Sequence, residues 1–396
     1  MGSPAYDSVI AELGRLAPQN GVLDAHCHLG RDEDGSSLHP GALLAALDEV
    51  SGSARAVVFP LQDPDRRPAC RVPNDRVLEW GRESGGRLTA YCRLDPDDDP
   101  VAEAERCLAR GAHGIKLHPR GRDWESVHPA VPAIFGAARE AGVPVLLHAG
   151  RNLRSMGALV EVALRFPEVV LVLAHAGIAD QAVLAAGLAR HPRVFYDTSC
   201  FAPYDVVELF AQVPAERIVF GSDAPYGQPV EGLFLAMRAA AYAGLGAGDR
   251  ALVAGGTMTA VLDGNEPPAA GPPRLARVRP VAGSLVRVAT YLMMGFSAAL
   301  SAPPLPSRAL SWIELARGVC RDPDPGGAGP ALARIGNLLN TAEQLITAPD
   351  AHPRRALGLI HAAVTIAATE RLPACPAQPE PPEPRSWRGG RWPRPW

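Results

Sequence analysis

The feature that most constrains this chain is a regular alternation of short apolar runs with longer amphipathic segments. Eight of the runs predict strands, and their starts fall about 24 to 33 residues apart, the length of one βα unit. Several runs, such as 143–147 and 169–173, are apolar throughout, which is typical of parallel strands buried on both faces. Eight such strands between helices favour a closed (β/α)8 TIM barrel over an open doubly wound sheet. The predicted fold class is therefore α/β.

A change in composition divides the chain after this barrel. We assign residues 1–264 to the barrel and the Pro-rich residues 265–280 to a semi-rigid linker. Four helix candidates follow, and they predict a small all-α bundle over residues 281–372. They cover 281–300, 307–319, 329–347 and 354–371. The remaining residues, 373–396, are rich in Pro, Glu, Arg and Trp and are predicted to be disordered.

Composition excludes several kinds of partner. The chain is 47% hydrophobic and 20% charged with a net charge of −3, so it carries no basic excess for nucleic acid or a membrane surface. The apolar candidate helix 281–300 contains Arg287, and we interpret it as a bundle helix and not a membrane span. Seven cysteines without CxxC spacing indicate reduced thiols. With no secretion signal in residues 1–20, we expect a cytoplasmic protein.

The first predicted strand carries two histidines two residues apart. Alternation along an extended strand predicts that Asp24, His26 and His28 share one face while Ala25 and Cys27 face away. Two imidazoles held side by side on a stiff strand are half of a zinc site. Alone, such a pair is more often a satisfied polar pair at a strand end, so its meaning depends on the rest of the chain.

Further polar residues stand where other predicted strands end. Because the carboxyl ends of barrel strands meet at one rim, these residues are expected to converge with the first pair. Four histidine positions and one carboxylate together favour a metal centre over isolated structural histidines. The residues are Lys116 and His118 on the fourth strand, His148 on the fifth, His175 on the sixth and Asp223 on the eighth.

Lys116 is the only lysine among 39 basic residues, all the others being arginine. Arginine replaces lysine on a solvated surface but cannot supply an amine nucleophile or a carbamate. The position of this one lysine at a predicted strand end points to a specific role. The alternative is that it lies there by chance. Five arginines also follow strands, and near a cationic lysine they suggest an anionic or carbonyl-containing small molecule as substrate. They are Arg31, Arg93, Arg120, Arg151 and Arg154.

These strand-end motifs resemble the metal-dependent amidohydrolase superfamily, and more closely its amidohydrolase-related branch of TIM-barrel hydrolases and decarboxylases. The resemblance covers residues 22–264, with every motif in family order, and leaves residues 265–396 uncovered. It rests on Asp24-Ala-His26-Cys-His28, Gly-Ile-Lys116-Leu-His118-Pro, Leu-Leu-His148-Ala-Gly, Leu-Ala-His175-Ala-Gly and Phe-Gly-Ser-Asp223-Ala-Pro.

The resemblance implies a role for each of these residues. His26, His28, His148 and Asp223 would hold a divalent ion, most simply zinc, which activates a water. Asp223 would also act as general acid and base. His175 would orient the water or bind a second ion, and Asp24 would support a strand-end imidazole. His118, Arg120 and Arg151 would contact the substrate.

Two questions stay open at this point. Lys116 is either a carboxylated bridge between two ions or, as we favour, a cation that holds substrate beside a single ion. The reaction is hydrolysis of a small amide, lactone or related C–N or C–O bond, or decarboxylation of an unsaturated or aromatic acid. A non-catalytic barrel that serves as a scaffold for the helical region is a third possibility, and a homodimer is compatible with all three.

Overall fold

The computed structural model describes residues 3–118, 128–149, 156–199, 202–273, 281–300, 307–322, 324, 327–347 and 353–370. Ten strands lie in the first part of these residues, and apart from one short antiparallel strand they pair in parallel. They are β1 (Leu23–Arg31), β2 (Ser37–Leu38), β3 (Arg55–Pro60), β4 (Leu88–Ala90), β5 (Cys92–Leu94), β6 (Ile115–Leu117), β7 (Val145–His148), β8 (Leu171–Ala174), β9 (Val194–Asp197) and β10 (Ile218–Val219).

The parallel strands close into the predicted eight-stranded barrel. Pairing runs from β1 through β3 to β4 and from β5 in sequence to β10, and β4 and β5 are two halves of one strand that is interrupted at Tyr91. The seam between the last and first strands is closed by backbone hydrogen bonds from Ala25 N to Phe220 O (2.8 Å) and from His28 N to Ala224 O (2.7 Å). The (β/α)8 prediction is confirmed.

The barrel interior is a packed core and not a channel, as expected for eight strands. Apolar side chains from the strands fill it in a cluster that includes Leu23, Val57, Phe59, Leu146 and Val172. Met258 and Val261 join this cluster from the helical segment that follows the last strand. They pack at the end of the barrel where the strands begin, with Leu23 of β1. The larger apolar cluster lies between the strands and the surrounding helices.

Helices alternate with the strands, and several begin with proline in their first turn, where its missing N–H has no intrahelical partner. The additional first helix was not predicted; Ser3 caps it by accepting a hydrogen bond from Tyr6 N (3.3 Å). These helices are α1 (Pro4–Leu16), α2 (Pro40–Val50), α3 (Arg71–Glu83), α4 (Pro100–Ala109), α5 (Val131–Ala141), α6 (Met156–Arg165), α7 (Gln181–Gly187), α8 (Pro203–Gln212), α9 (Pro229–Tyr242), α10 (Ala247–Ala251) and α11 (Thr257–Leu262).

Four further helices pack on one another as the predicted bundle, with α15 against α8 and α9 of the barrel. Leu332, Ile335 and Leu339 are buried along α14, as their three-four spacing predicts. None of the described helices combines the length and the hydropathy needed to cross a bilayer. The four are α12 (Gly283–Leu300), α13 (Ser307–Arg321), α14 (Gly329–Thr347) and α15 (Pro353–Thr369).

A buried arginine joins the barrel to the bundle. Arg238 of α9 donates hydrogen bonds to Thr369 Oγ1 (2.8 Å) and Glu370 Oε2 (2.8 Å) and also pairs with Glu12 of α1. Glu12 pairs in addition with Arg334 of α14. The bundle is therefore held to the barrel by ionic as well as apolar contacts. Residues 265–273 lack regular structure, while the predicted tail and residues 274–280 of the predicted linker lie outside the described residues.

Candidate metal centre

Three predicted ligands meet at the carboxyl ends of the first and last barrel strands. His26 Nε2 and His28 Nε2 each lie 3.2 Å from Asp223 Oδ1, and the two nitrogens lie 3.2 Å from each other. Ligand atoms about 2.0–2.2 Å from one tetrahedral cation are separated by roughly 3.3–3.6 Å. The triangle formed by His26, His28 and Asp223 is therefore close to the size that one divalent ion requires, and all three side chains are buried.

Barrel closure brings this triangle together. Asp223 N donates to His26 O (2.8 Å), which fixes the end of the eighth strand beside the first. Asp223 has φ of 57° and His175 has the same value, a left-handed conformation that is costly for residues with a Cβ. Gly221 allows the close approach, because a Cβ there would lie 2.9 Å from His26 Cβ. Strained backbone at two proposed functional residues indicates that packing holds their side chains in place.

An aspartate that sequence reasoning missed supports His26. Asp197, at the end of β9, is fully buried and lies with Oδ2 2.8 Å from His26 Nδ1. Its Oδ1 accepts hydrogen bonds from His175 N (2.8 Å) and Ser199 Oγ (2.5 Å). By binding Nδ1, Asp197 leaves Nε2 of His26 directed at Asp223 and His28. The rule that selected Asp223, a carboxylate at the end of an apolar strand, would have found Asp197 as well.

The structure corrects the prediction for Asp24. β1 has a register irregularity between Asp24 and Cys27, so simple alternation fails there. Alternation predicts that Ala25 and Cys27 both face away from the histidines. Cys27 does so and lies in the outer core, whereas Ala25 lies in the barrel interior. The hydrogen bonds that Asp24 accepts come from His26 N (3.1 Å) and Ser222 N (2.9 Å), and Asp197 takes the place predicted for it beside an imidazole. Burial raises the pKa of Asp24 to about 6.

Lys116 lies within the same cluster. Its Nζ is 3.2 Å from His26 Nε2 and 4.5 Å from the centre of the Phe59 ring, and the side chain is fully buried. Burial lowers its pKa to about 7, against the opposite effect of Asp223 and Asp197. The only lysine of the chain therefore lies within this cluster, which agrees with a specific role for it.

The remaining histidines extend the cluster along the rim. His175 Nε2 lies 3.0 Å from His148 Nδ1, and His175 Nδ1 lies 2.8 Å from Ser199 Oγ. The His118 ring is 4.1 Å from the His148 ring, measured between centroids. Among the described residues, the compact groups of potential ligands include His175, with His26 and Asp197, but not His148. His148 and His175 thus lie beside the triangle, but neither belongs to the compact group of His26, His28 and Asp223.

The predicted arginines fall into two groups. Arg120, Arg151 and Arg154 lie outside the described residues, so their expected contacts with substrate stay predictions. Arg31 is exposed and pairs with Asp65 (2.8 Å). Arg93 is buried and donates to Pro60 O (3.2 Å).

Burial and neighbouring charges shift the pKa values of the groups in this cluster. Burial alone would raise the pKa of Asp223, but the neighbouring His26 and His175 and hydrogen bonds from His26 and His28 lower it well below its usual range. Burial lowers the pKa of His28 to about 3 and also lowers the pKa values of His175, His148 and His118. His26 differs, because burial and Lys116 act to lower its pKa but Asp197 and Asp223 outweigh them and raise it. The ionised Asp223 and the neutral His28 are in the protonation states in which such groups bind a metal.

Solved structures resemble the barrel region at low identity. The apo-form IDCase of Metarhizium anisopliae is 16% identical with a TM-score of 0.49, over 61% of this chain and 97% of its own. A 4-oxalomesaconate hydratase of Rhodopseudomonas palustris is 16% identical with a TM-score of 0.43, over 61% and 96%. A 5-carboxyvanillate decarboxylase of Novosphingobium aromaticivorans, complexed with manganese, is 13% identical with a TM-score of 0.42, over 60% and 96%.

No curated protein matches this sequence. Residues 23–263 match the family described as Amidohydrolase. The match covers more than half of the chain and spans the strands that carry the histidines, the lysine and the aspartates of the cluster. It begins at β1 and ends just after α11, so the four C-terminal helices lie beyond it. Over its barrel, this chain therefore belongs to the Amidohydrolase family.

Proposed function

We propose that this protein is a metal-dependent hydrolase of a small-molecule amide, lactone or related C–N or C–O bond. The observation that carries the proposal is the 3.2 Å triangle of His26 Nε2, His28 Nε2 and Asp223 Oδ1 at the barrel rim. Membership of the Amidohydrolase family supports it. Two imidazoles and a carboxylate suit zinc. We propose His148, which lies beside the triangle, as the fourth ligand, and His175 as the residue that orients the water or, if a second ion is bound, holds that ion.

A divalent cation at this triangle supplies Lewis acidity, which polarises a carbonyl oxygen and makes a water nucleophilic at neutral pH. The chain's own groups then move the proton. Asp223, an ionised corner of the triangle, would accept the proton of the attacking water and return it to the leaving group. His175 would orient the water, and Asp197 would keep the His26 ring in one tautomer.

Lys116 is proposed to hold the substrate beside a single ion. Its Nζ faces His26 from within the cluster, where an ammonium would attract a carbonyl or carboxylate oxygen. The second compact group, His26 with His175 and Asp197, is better explained as a hydrogen-bonded chain, because Asp197 already binds His26 Nδ1. His118, Arg120 and Arg151 are proposed to complete the contacts with an anionic or carbonyl-containing substrate.

The number of ions is tested with Lys116→Arg, which keeps the charge but cannot be carboxylated. We expect one equivalent of metal per chain in both proteins by elemental analysis, with activity reduced by less than about tenfold in the variant. Two equivalents in the parent protein and one in the variant would establish a carboxylated lysine bridge instead.

The reaction is tested on purified, zinc-loaded protein with small amides, lactones and unsaturated acids. Hydrolysis incorporates 18O from labelled water into the product, whereas the alternative, a decarboxylase, releases CO2 without incorporation. If the protein bound no divalent metal, the third hypothesis would be favoured, in which a non-catalytic barrel serves as a scaffold for the helical bundle. We further propose a cytoplasmic location, which the five free cysteines of the described residues support, and a homodimer, which sedimentation would test.

A further inference from the structure

A cavity of about 410 Å³ lies where the helical bundle meets the barrel. Its barrel wall includes Ser199 and Ser222 at the ends of the last two strands, and Glu231 near the start of α9. Its other wall is formed by the bundle, with Leu357 of α15 and Phe296 of α12. Small-molecule sites typically occupy about 300–1,000 Å³, so the cavity is large enough for an organic ligand.

The cavity contains a buried carboxylate. Glu231 is 7% exposed and lies among the cavity walls, in the first turn of α9. Its Oε1 lies against the backbone of α15, where a Cβ on Gly358 would approach it to 2.2 Å. Gly358 also lines the cavity, so the absence of a side chain at 358 leaves room for the carboxylate at the cavity wall.

No ion pair to Glu231 is formed among the described residues, although Arg354 and Arg355 line cavities with it. Within the described part of the chain, its carboxylate forms no ion pair and no hydrogen bond with another side chain. Arg354 lines the same cavity but is exposed and makes no ion pair with Glu231. The charged group that does act on Glu231 is another carboxylate, Glu49, whose repulsion adds to the effect of burial in raising the pKa to about 7.

We propose that this cavity binds a small organic cation, a protonated amine on an apolar body, whose ammonium pairs with Glu231. A buried carboxylate is costly unless it is paired, and an ammonium would supply the missing partner. Leu235, Phe296 and Leu357 provide apolar contacts for the body of the ligand. The site belongs jointly to the barrel and the bundle, and it uses none of the proposed metal ligands.

The cavity also shares a wall with the metal centre. Ser199 lines it and hydrogen-bonds to Asp197 and His175. The proposal nevertheless does not depend on the hydrolase activity, because binding is measured directly on the full chain with and without added zinc.

The test uses three probes of similar size: 2-phenylethylammonium, 2-phenylethanol and 3-phenylpropionate. We expect saturable binding of the ammonium by calorimetry, at least about tenfold weaker binding of the alcohol, and none of the carboxylate. Glu231→Gln, which preserves shape, should weaken the ammonium by at least about tenfold. Glu49→Gln, the matched control that removes the nearby carboxylate outside this cavity, should change its affinity less than threefold.

A second variant locates the site by filling it. Leu357→Trp should abolish binding of the ammonium while the circular dichroism spectrum and elution volume stay unchanged. The proposal is wrong if the wild-type protein fails to bind 2-phenylethylammonium saturably, or if the ammonium and the alcohol bind equally. It is also wrong if Glu231→Gln binds the ammonium as tightly as the wild type does.

Discussion

Two carboxylates in this protein are almost equally buried but occupy opposite environments. Asp223 is 6% exposed at the metal centre, and Glu231 is 7% exposed in the cavity under the helical bundle. Burial alone would raise the pKa of both. In Asp223 the surrounding imidazoles reverse that effect and lower the pKa, whereas burial and the repulsion of Glu49 raise the pKa of Glu231 to about 7.

The comparison shows that burial does not decide what a carboxylate does; its neighbours do. Asp223 is kept ionised by groups of the protein itself, which is the state that its proposed role as a cation ligand requires. Glu231 is stabilised as the neutral acid unless a positive partner comes from outside. The first region is within the family match, and the second uses helices that the match does not cover.

The largest effect is expected for Asp223→Asn. The amide keeps the size of the side chain but removes the charge that faces His26 and His28 and the group proposed to relay the proton. We expect kcat to fall by about 10²–10⁴-fold. Stoichiometric zinc binding should weaken in the same variant, measured by competition with a chromogenic chelator.

Asp48→Asn provides the control, because Asp48 is exposed on α2 and pairs with Arg87. Its kcat should stay within twofold of the wild-type value. If Asp223→Asn retained both its zinc affinity and its activity, the metal centre would have to lie elsewhere.

Glu231→Gln should act on stability and in a pH-dependent manner. The folded-state pKa is about 7 and the ordinary value is 4.5, so between these values the folded protein binds a proton that the unfolded chain does not. Wild-type stability therefore falls as pH rises from about 4.5 to 7 and stays reduced above it. We expect Glu231→Gln to be more stable than the wild type by about 2–3 kcal/mol at pH 8, and by much less at pH 5.

Urea unfolding at both pH values measures this difference. Glu105→Gln is the control, since Glu105 is exposed on α4, and its difference from the wild type should not vary between pH 5 and pH 8. An equal or lower stability of Glu231→Gln at pH 8 would mean that Glu231 has a favourable partner, and the contrast with Asp223 would disappear.

The barrel could be predicted from sequence because its information is local. Buried parallel strands require unbroken apolar runs, and strands such as 145–148 and 171–174 carry them at regular spacing. The strand ends then place His26, His28 and Asp223 on one rim, since a closed barrel brings the ends of its first and last strands together. The three side chains do meet, at 3.2 Å.

What the sequence did not show depends on backbone detail and on contacts between distant segments. The irregularity in β1 breaks strand alternation and turns Asp24 away from its predicted role, and no residue type marks that position. The cavity needs α15 to lie on α9 so that Gly358 meets Glu231, more than 100 residues away. Nothing in the local pattern of either helix indicates that pairing.

The smallest predicted effect separates Asp197 from Asp24, two fully buried aspartates next to the same histidine. Asp197 binds the His26 ring, whereas Asp24 accepts from backbone N–H groups. Asp197→Asn should weaken zinc affinity by about 10–100-fold, because the ring loses the partner that fixes its tautomer. Asp24→Asn should change zinc affinity by less than about threefold, although it perturbs the same strand.

Zinc dissociation constants of both variants, measured at pH 7.5 by chelator competition, decide the point. A merely structural role for Asp197 would lower stability without a selective loss of metal, so the urea midpoint of each variant is measured alongside. Equal losses of zinc affinity in the two variants would mean that burial of a carboxylate near His26 is what matters. A selective loss in Asp197→Asn would show that the specific bond to Nδ1 directs the opposite nitrogen of His26 towards the cation.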